Sequence, residues 1–214
     1  MSEAPHSRTH HIGTALTIVY VAGVVLLAVA PELGLRLLAK EGAVEQASHA
    51  VLVVAILAYA VVALRSRRPL ALSLCAFLAV VLLEELDWGA IYAAKDVSSA
   101  FQARTGDVNF HNRWGGHSYL LFVLPVPLYG LLPFYPARLR EPLERALGPA
   151  APDRDAAAAL LAGAGLMLLG LAVMSQREQQ LDELNELVVY LWFAGVAALA
   201  MFAPEPHDPG SAGH

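Results

Sequence analysis

Long apolar runs separated by short polar turns dominate this chain. A helix needs about 20 apolar residues to cross the ~30 Å hydrocarbon core of a bilayer. Six segments approach that length: Ile12–Ala30, Val44–Leu64, Leu70–Ala94, Tyr119–Tyr135, Ala156–Ser175 and Leu187–Ala203. The pattern predicts an all-α fold, a polytopic transmembrane helical bundle of about six spans, forming a single domain over residues 12–203. Residues 1–11 and 204–214 are polar and read as tails. Glu141–Asp155, with Pro142, Pro149 and Pro152, reads as a linker. The fourth segment is the least regular, because Pro125, Pro127 and Pro133 interrupt it; proline inside a span needs neighbours that satisfy the freed carbonyls. The fifth carries Gly163, Gly165 and Gly170, small residues that let another helix approach closely. The first run has 19 residues, longer than the apolar core of a signal peptide, so it reads as a retained helix.

Composition narrows the picture. The chain is 57% hydrophobic and 15% charged, against roughly 25% charged in an average soluble domain. That excludes disorder outside the ends. A net charge of −5 lacks the basic footprint of a nucleic-acid binder. Cys75 is the single cysteine, so no internal disulfide or thiolate zinc site forms. It reads as a small packing residue.

Basic residues in short loops set orientation. With a cytoplasmic N-terminus, 8 of the 14 basic residues fall inside, among them Arg65, Arg67, Arg68, Arg138, Arg140, Arg145 and Arg154. The opposite face holds 12 of the 19 acidic residues and only 6 basic ones, and so carries all the excess negative charge. This segregation is independent of absolute orientation.

Ionisable groups within spans are expensive and usually functional. Glu45 and His49 lie four apart at the start of the second segment and share a face. Glu84, Glu85 and Asp87 lie roughly 21–26 Å along the third, near its far end. Glu84 and Asp87 share a face, Trp88 is one turn beyond Glu84, and Glu85 points about 100° away. The next loop carries Asn109-Phe110-His111-Asn112 and Trp114-Gly115-Gly116-His117. Before the last segment, Glu178, Asp182 and Glu186 form an i, i+4, i+8 row, with Glu183 one turn from Glu186. An up-and-down path brings all of these to one end of the bundle. Taken singly, each has a plain explanation: Glu45 and His49 as snorkelling residues, the loop histidines as solvated, Trp88 and Trp114 as interfacial anchors. Four segments delivering carboxylates or imidazoles to one face go beyond scattered tolerance.

Glu84-Glu85-Leu86-Asp87-Trp88-Gly89 followed by Asn109-Phe110-His111-Asn112 resembles a family of bacterial polytopic membrane proteins of unknown function. The family pattern is roughly Glu-Glu-x-Ser-Trp-Gly, a loop, then Asn-x-His-Asn. Glu41-Gly42-Ala43-Val44-Glu45 and Glu183-Leu184-Asn185-Glu186 are similar to its other acidic motifs. Asp87 stands where the pattern has Ser. The resemblance implies a shared site in a bacterial inner membrane and names no reaction. Intramembrane CAAX-type proteases also carry a Glu-Glu pair, but Gly89 stands where their arginine belongs.

Three functions fit. The first is a metal-dependent enzyme acting on a lipid or other hydrophobic small molecule by hydrolysis or transfer. Glu45, His49, Glu84, His111 and Glu183 are the candidate ligands for zinc, manganese or iron. Glu84, Glu85, Asp87 and His117 are candidate acid–base groups, and Trp88, Asn109, Asn112 and Trp114 candidate substrate contacts. The second is a metal-free isoprenoid or terpenoid cyclase, in which Glu84 or Asp87 protonates the substrate and the tryptophans stabilise the cation. The third is a transporter or a structural subunit. The polar groups form a one-sided cup, which favours a site over a channel.

Overall fold

The computed structural model describes residues 6–40, 42–86 and 123–203. Among the described residues the chain is helical, with no strand. The α-helices are α1 (His6–Val29), α2 (Pro31–Leu37), α3 (Ala43–Ser66), α4 (Pro69–Glu85), α5 (Pro125–Gly130), α6 (Ala137–Leu147), α7 (Arg154–Val173) and α8 (Glu178–Met201). Four stretches among these residues are long and apolar enough to cross a membrane: His11–Val29, Ala43–Ser66, Arg154–Val173 and Ser175–Met201. They cover the first, second, fifth and sixth expected spans.

The third and fourth expected spans come out differently. α4 is 17 residues long and closes at Glu85, with Leu86 as its C-cap; residues 87–94 lie outside the described set. Tyr119–Tyr135 is not one helix. Its described part is the six-residue α5, then a 3-10 turn over Leu132–Phe134, then extended Tyr135. Pro125 and Pro127 sit in the first turn of α5, where their missing N–H groups cost nothing. Pro133 is different: continued helix would drive its ring into the carbonyl of Tyr129, so the chain turns. The expected linker is also structured. α6 runs into it from Ala137, and Gly148 closes α6 at φ 60°, a region open to glycine.

α8 is central. It packs on α3, α1 and α7, while α3 also packs on α4, and α1 on α7. Gly170 makes room for Tyr20 of α1, since a Cβ there would lie 2.1 Å from the Tyr20 hydroxyl. Gly165, by contrast, faces open space.

An aromatic cluster fixes the middle of the bundle. Phe193 stacks on Tyr129 at 5.8 Å and meets Trp192 edge-on at 5.1 Å, geometries the ring quadrupoles favour. Buried polar groups here must be satisfied internally, since the bilayer supplies no water. The Trp192 indole N–H donates to the Ala156 carbonyl at 2.8 Å. The Tyr129 hydroxyl donates its one hydrogen to the Ala150 carbonyl. Tyr59, 3.0 Å away, must therefore donate to Tyr129. One chain of hydrogen bonds thus ties α3, α5 and the turn after α6.

The two ends of the bundle differ in charge. At one, Arg65 lies in the last turn of α3, Arg67 and Arg68 form the turn that follows, and Arg65 donates to the carbonyl of Met201 at the end of α8. At the other, α3 opens with Glu45, α4 closes with Glu84 and Glu85, and α8 opens with its acidic row.

Candidate functional site: an acidic cavity

A cavity of about 800 Å³ opens at the acidic end. Its polar lining comes from helix termini. Glu45 lies in the first turn of α3, Glu84 and Glu85 in the last turn of α4, and Asp182, Glu183 and Glu186 in the first turns of α8. Lys40, Gln179, Asn185 and Tyr190 complete the polar set. The remaining wall is apolar. Phe77, Leu78 and Val81 of α4 face Leu160, Ala164 and Met167 of α7, with Val126 and Pro127 of α5 and Phe193 of α8. On α8 the lining positions 179, 182, 183, 185, 186, 189, 190 and 193 share one face of the helix. One helical stripe therefore runs from the acidic mouth to the aromatic core.

Glu45 and Glu84 are 6% and 5% exposed, so their carboxyls belong to the interior. Glu85 is held across the cavity: the Tyr190 hydroxyl donates to its Oε1 at 2.7 Å. Glu183 lies in the field of Glu45, Glu85 and Asp182, with Lys40 opposing. Glu186 feels Glu85, Glu183, Asp182 and Glu45. Carboxyls from three helices thus act on one another, and the low dielectric of the interior strengthens the interaction. The arrangement favours a cationic or hydrogen-bond-donating head at the mouth and an apolar body below.

His49, one turn beyond Glu45, is 7% exposed. Its Nε2 is 3.9 Å from Glu45 Oε1, too far for a hydrogen bond. Among the described residues, neither ring nitrogen has a hydrogen-bond partner. His49 is not among the cavity-lining residues.

Of the residues singled out by sequence, Glu45, Glu84, Glu85, Asp182, Glu183 and Glu186 come together at the cavity, with His49 behind Glu45. Asp87, Trp88, Asn109, His111, Asn112, Trp114 and His117 lie outside the described residues. Among the described residues, no three His, Cys, Asp or Glu side chains close into a group able to hold a metal ion. The structure adds Tyr190, Asn185, Gln179 and Lys40 to the site. Tyr190 had a readable signal, since it lies four residues after Glu186 and continues the acidic row. Comparison with family models, curated proteins and solved structures finds no match for this chain.

Proposed function

We propose that this chain is a multi-pass membrane enzyme that takes a lipid-like amphiphile into the acidic cavity. The observation that carries this reading is the cavity itself, at about 800 Å³ with carboxylates at its mouth and aromatic and aliphatic side chains beneath. Small-molecule sites span about 300–1,000 Å³ and combine a mostly apolar lining with a few convergent polar groups. The head of the substrate sits among Glu45, Glu85, Glu183 and Glu186. Its apolar part lies along Phe77, Val81 and Phe193. Glu85, fixed by Tyr190, is the general acid–base group, and hydrolysis or group transfer is the reaction class. In this reading the arginine end faces the cytoplasm of a bacterial cell, and Leu70–Ala94 and Tyr119–Tyr135 supply the remaining two crossings.

The test is retention of a bound amphiphile. Mass spectrometry of lipids that stay with the detergent-purified protein should find an amphiphile in stoichiometric amount. Ala164→Trp, which fills the cavity from a half-exposed position on α7, should lose it while keeping the helical circular-dichroism spectrum. Equal retention by the variant would sink the reading.

His49 favours a metal-dependent form of the same enzyme. A buried imidazole with neither nitrogen hydrogen-bonded among the described residues calls for a compensating partner, and an imidazole beside a carboxylate suits zinc, manganese or iron. Glu45 and His49 would supply two ligands, and His111, outside the described residues, is the candidate for a third. Elemental analysis of the purified protein should then show about one equivalent of metal, lost in His49→Ala. No metal above background in the parent protein returns the chemistry to Glu85 alone.

A further inference from the structure

The basic end carries a second feature, unrelated to the cavity. α6 is sharply two-sided. Helical spacing puts Leu139, Pro142, Leu143, Ala146 and Leu147 on one arc and Arg138, Glu141, Glu144 and Arg145 on the other. Among the described residues, only one edge of the apolar arc is covered. Leu147 is 5% exposed, but Leu143 is 37% and Leu139 53% exposed, and so is Phe134 just before the helix, at 53%. Arg138 and Arg145 are exposed on the polar side. Arg140 is anchored by Glu144 at 3.5 Å and by the Pro133 carbonyl.

The position of α6 says what covers that arc. α6 packs against α4. The glycine that closes it sits against the Arg68 side chain, at the turn between α3 and α4. Met201, at the end of α8, is tied to Arg65 at the same turn, and α7 starts at Arg154 a few residues after α6. The termini of spanning helices thus surround α6, and a leaflet's headgroup layer passes at its level. Leucines on one arc with arginines at its border match a helix lying in the plane of a membrane surface, and arginine stems can lie along apolar surface while their heads reach phosphates.

We infer that α6 is an in-plane anchor in an anionic leaflet. Leu139, Leu143 and Phe134 enter the boundary between headgroups and acyl chains. Arg138 and Arg145, with the arginines at the end of α3, bind the phosphates of anionic phospholipids.

Depth measurement tests this on the full chain. Nitroxide labels at Leu143→Cys, Leu139→Cys or Arg138→Cys, each with Cys75→Ser, are placed in phosphatidylcholine vesicles with or without phosphatidylglycerol. The labels at 143 and 139 should be accessible to oxygen and shielded from a water-soluble nickel chelate, and the label at 138 should show the reverse. Phosphatidylglycerol should be enriched in the lipid retained by the purified protein. Each of Arg138→Gln and Arg145→Gln should reduce that enrichment by up to about fivefold, the contribution of one arginine near an anionic leaflet. Labels at 143 and 139 that meet the chelate as freely as the one at 138 overturn the inference. Shielding from both reagents also overturns it, since that identifies a protein partner.

Discussion

Trp192→Ala is expected to destabilise the protein by about 3 kcal/mol, the lower end of the range for losing a large aromatic from a core. Trp192 is fully buried, at 0% exposure, and its ring meets Phe193 and Tyr129 edge-on. Lipid tails are as apolar as leucine, so burying the indole in a membrane protein gains little from leaving water. What the variant loses is packing and one hydrogen bond. The hole opens between α8, α5 and the start of α7. Trp192→Phe keeps most of the ring contact and removes the bond to Ala156. It should cost only about 1 kcal/mol, because that carbonyl stays in the ladder of α7. Unfolding by SDS in bicelles, followed by circular dichroism, measures both. A loss for the alanine variant no larger than for the phenylalanine variant would falsify the packing account.

The largest functional effect is expected at Glu85. Glu85→Gln preserves size and still accepts the Tyr190 hydroxyl through its amide oxygen, but it cannot carry a proton. Turnover of the amphiphile recovered from the parent protein should fall by roughly 10²–10⁴-fold, the usual contribution of a positioned acid or base. Retention of that amphiphile should be unchanged. Tyr190→Phe leaves the carboxyl chemically competent but removes the group that orients it, so its loss should be smaller. The pair separates proton transfer from binding. If Glu85→Gln turns over at the parental rate, Glu85 is a wall of the cavity and the acid–base role passes to another carboxylate.

The clustering of charge was legible because it depends only on where helices start and stop. Glu45 precedes a long apolar run, Glu84 and Glu85 end one, and the Glu178–Glu186 row precedes another. Alternating direction then brings these termini together, and the cavity has Glu45, Glu84, Glu85, Glu183 and Glu186 in its lining. Hydropathy places the apolar part of the last helix at Leu187, but α8 begins at Glu178, because a charged stretch with helical spacing extends the helix without adding to its apolar length. Breaks were harder to read. Apolar content marks Tyr119–Tyr135 as a span, yet the clash of Pro133 with the Tyr129 carbonyl is a backbone effect that hydropathy does not register. α6 was hidden for the opposite reason, since three prolines near it suggest a loop while its arc of leucines is what organises it. A long-range pair such as Tyr59 with Tyr129 has no local signature, because each partner looks like an ordinary aromatic in an apolar run.

The wall of the acidic cavity extends to Val123 and Leu161, which are 41% and 49% exposed on the outer flank of the bundle. In a bilayer such residues face hydrocarbon rather than water. An amphiphile reaching the carboxylates past them never has to dissolve in the aqueous phase. For the proposed enzyme, the concentration that governs the reaction is then the substrate's mole fraction in the leaflet. Diluting the substrate with inert phospholipid slows such a reaction, whereas enlarging the volume of buffer around the same vesicles leaves it untouched.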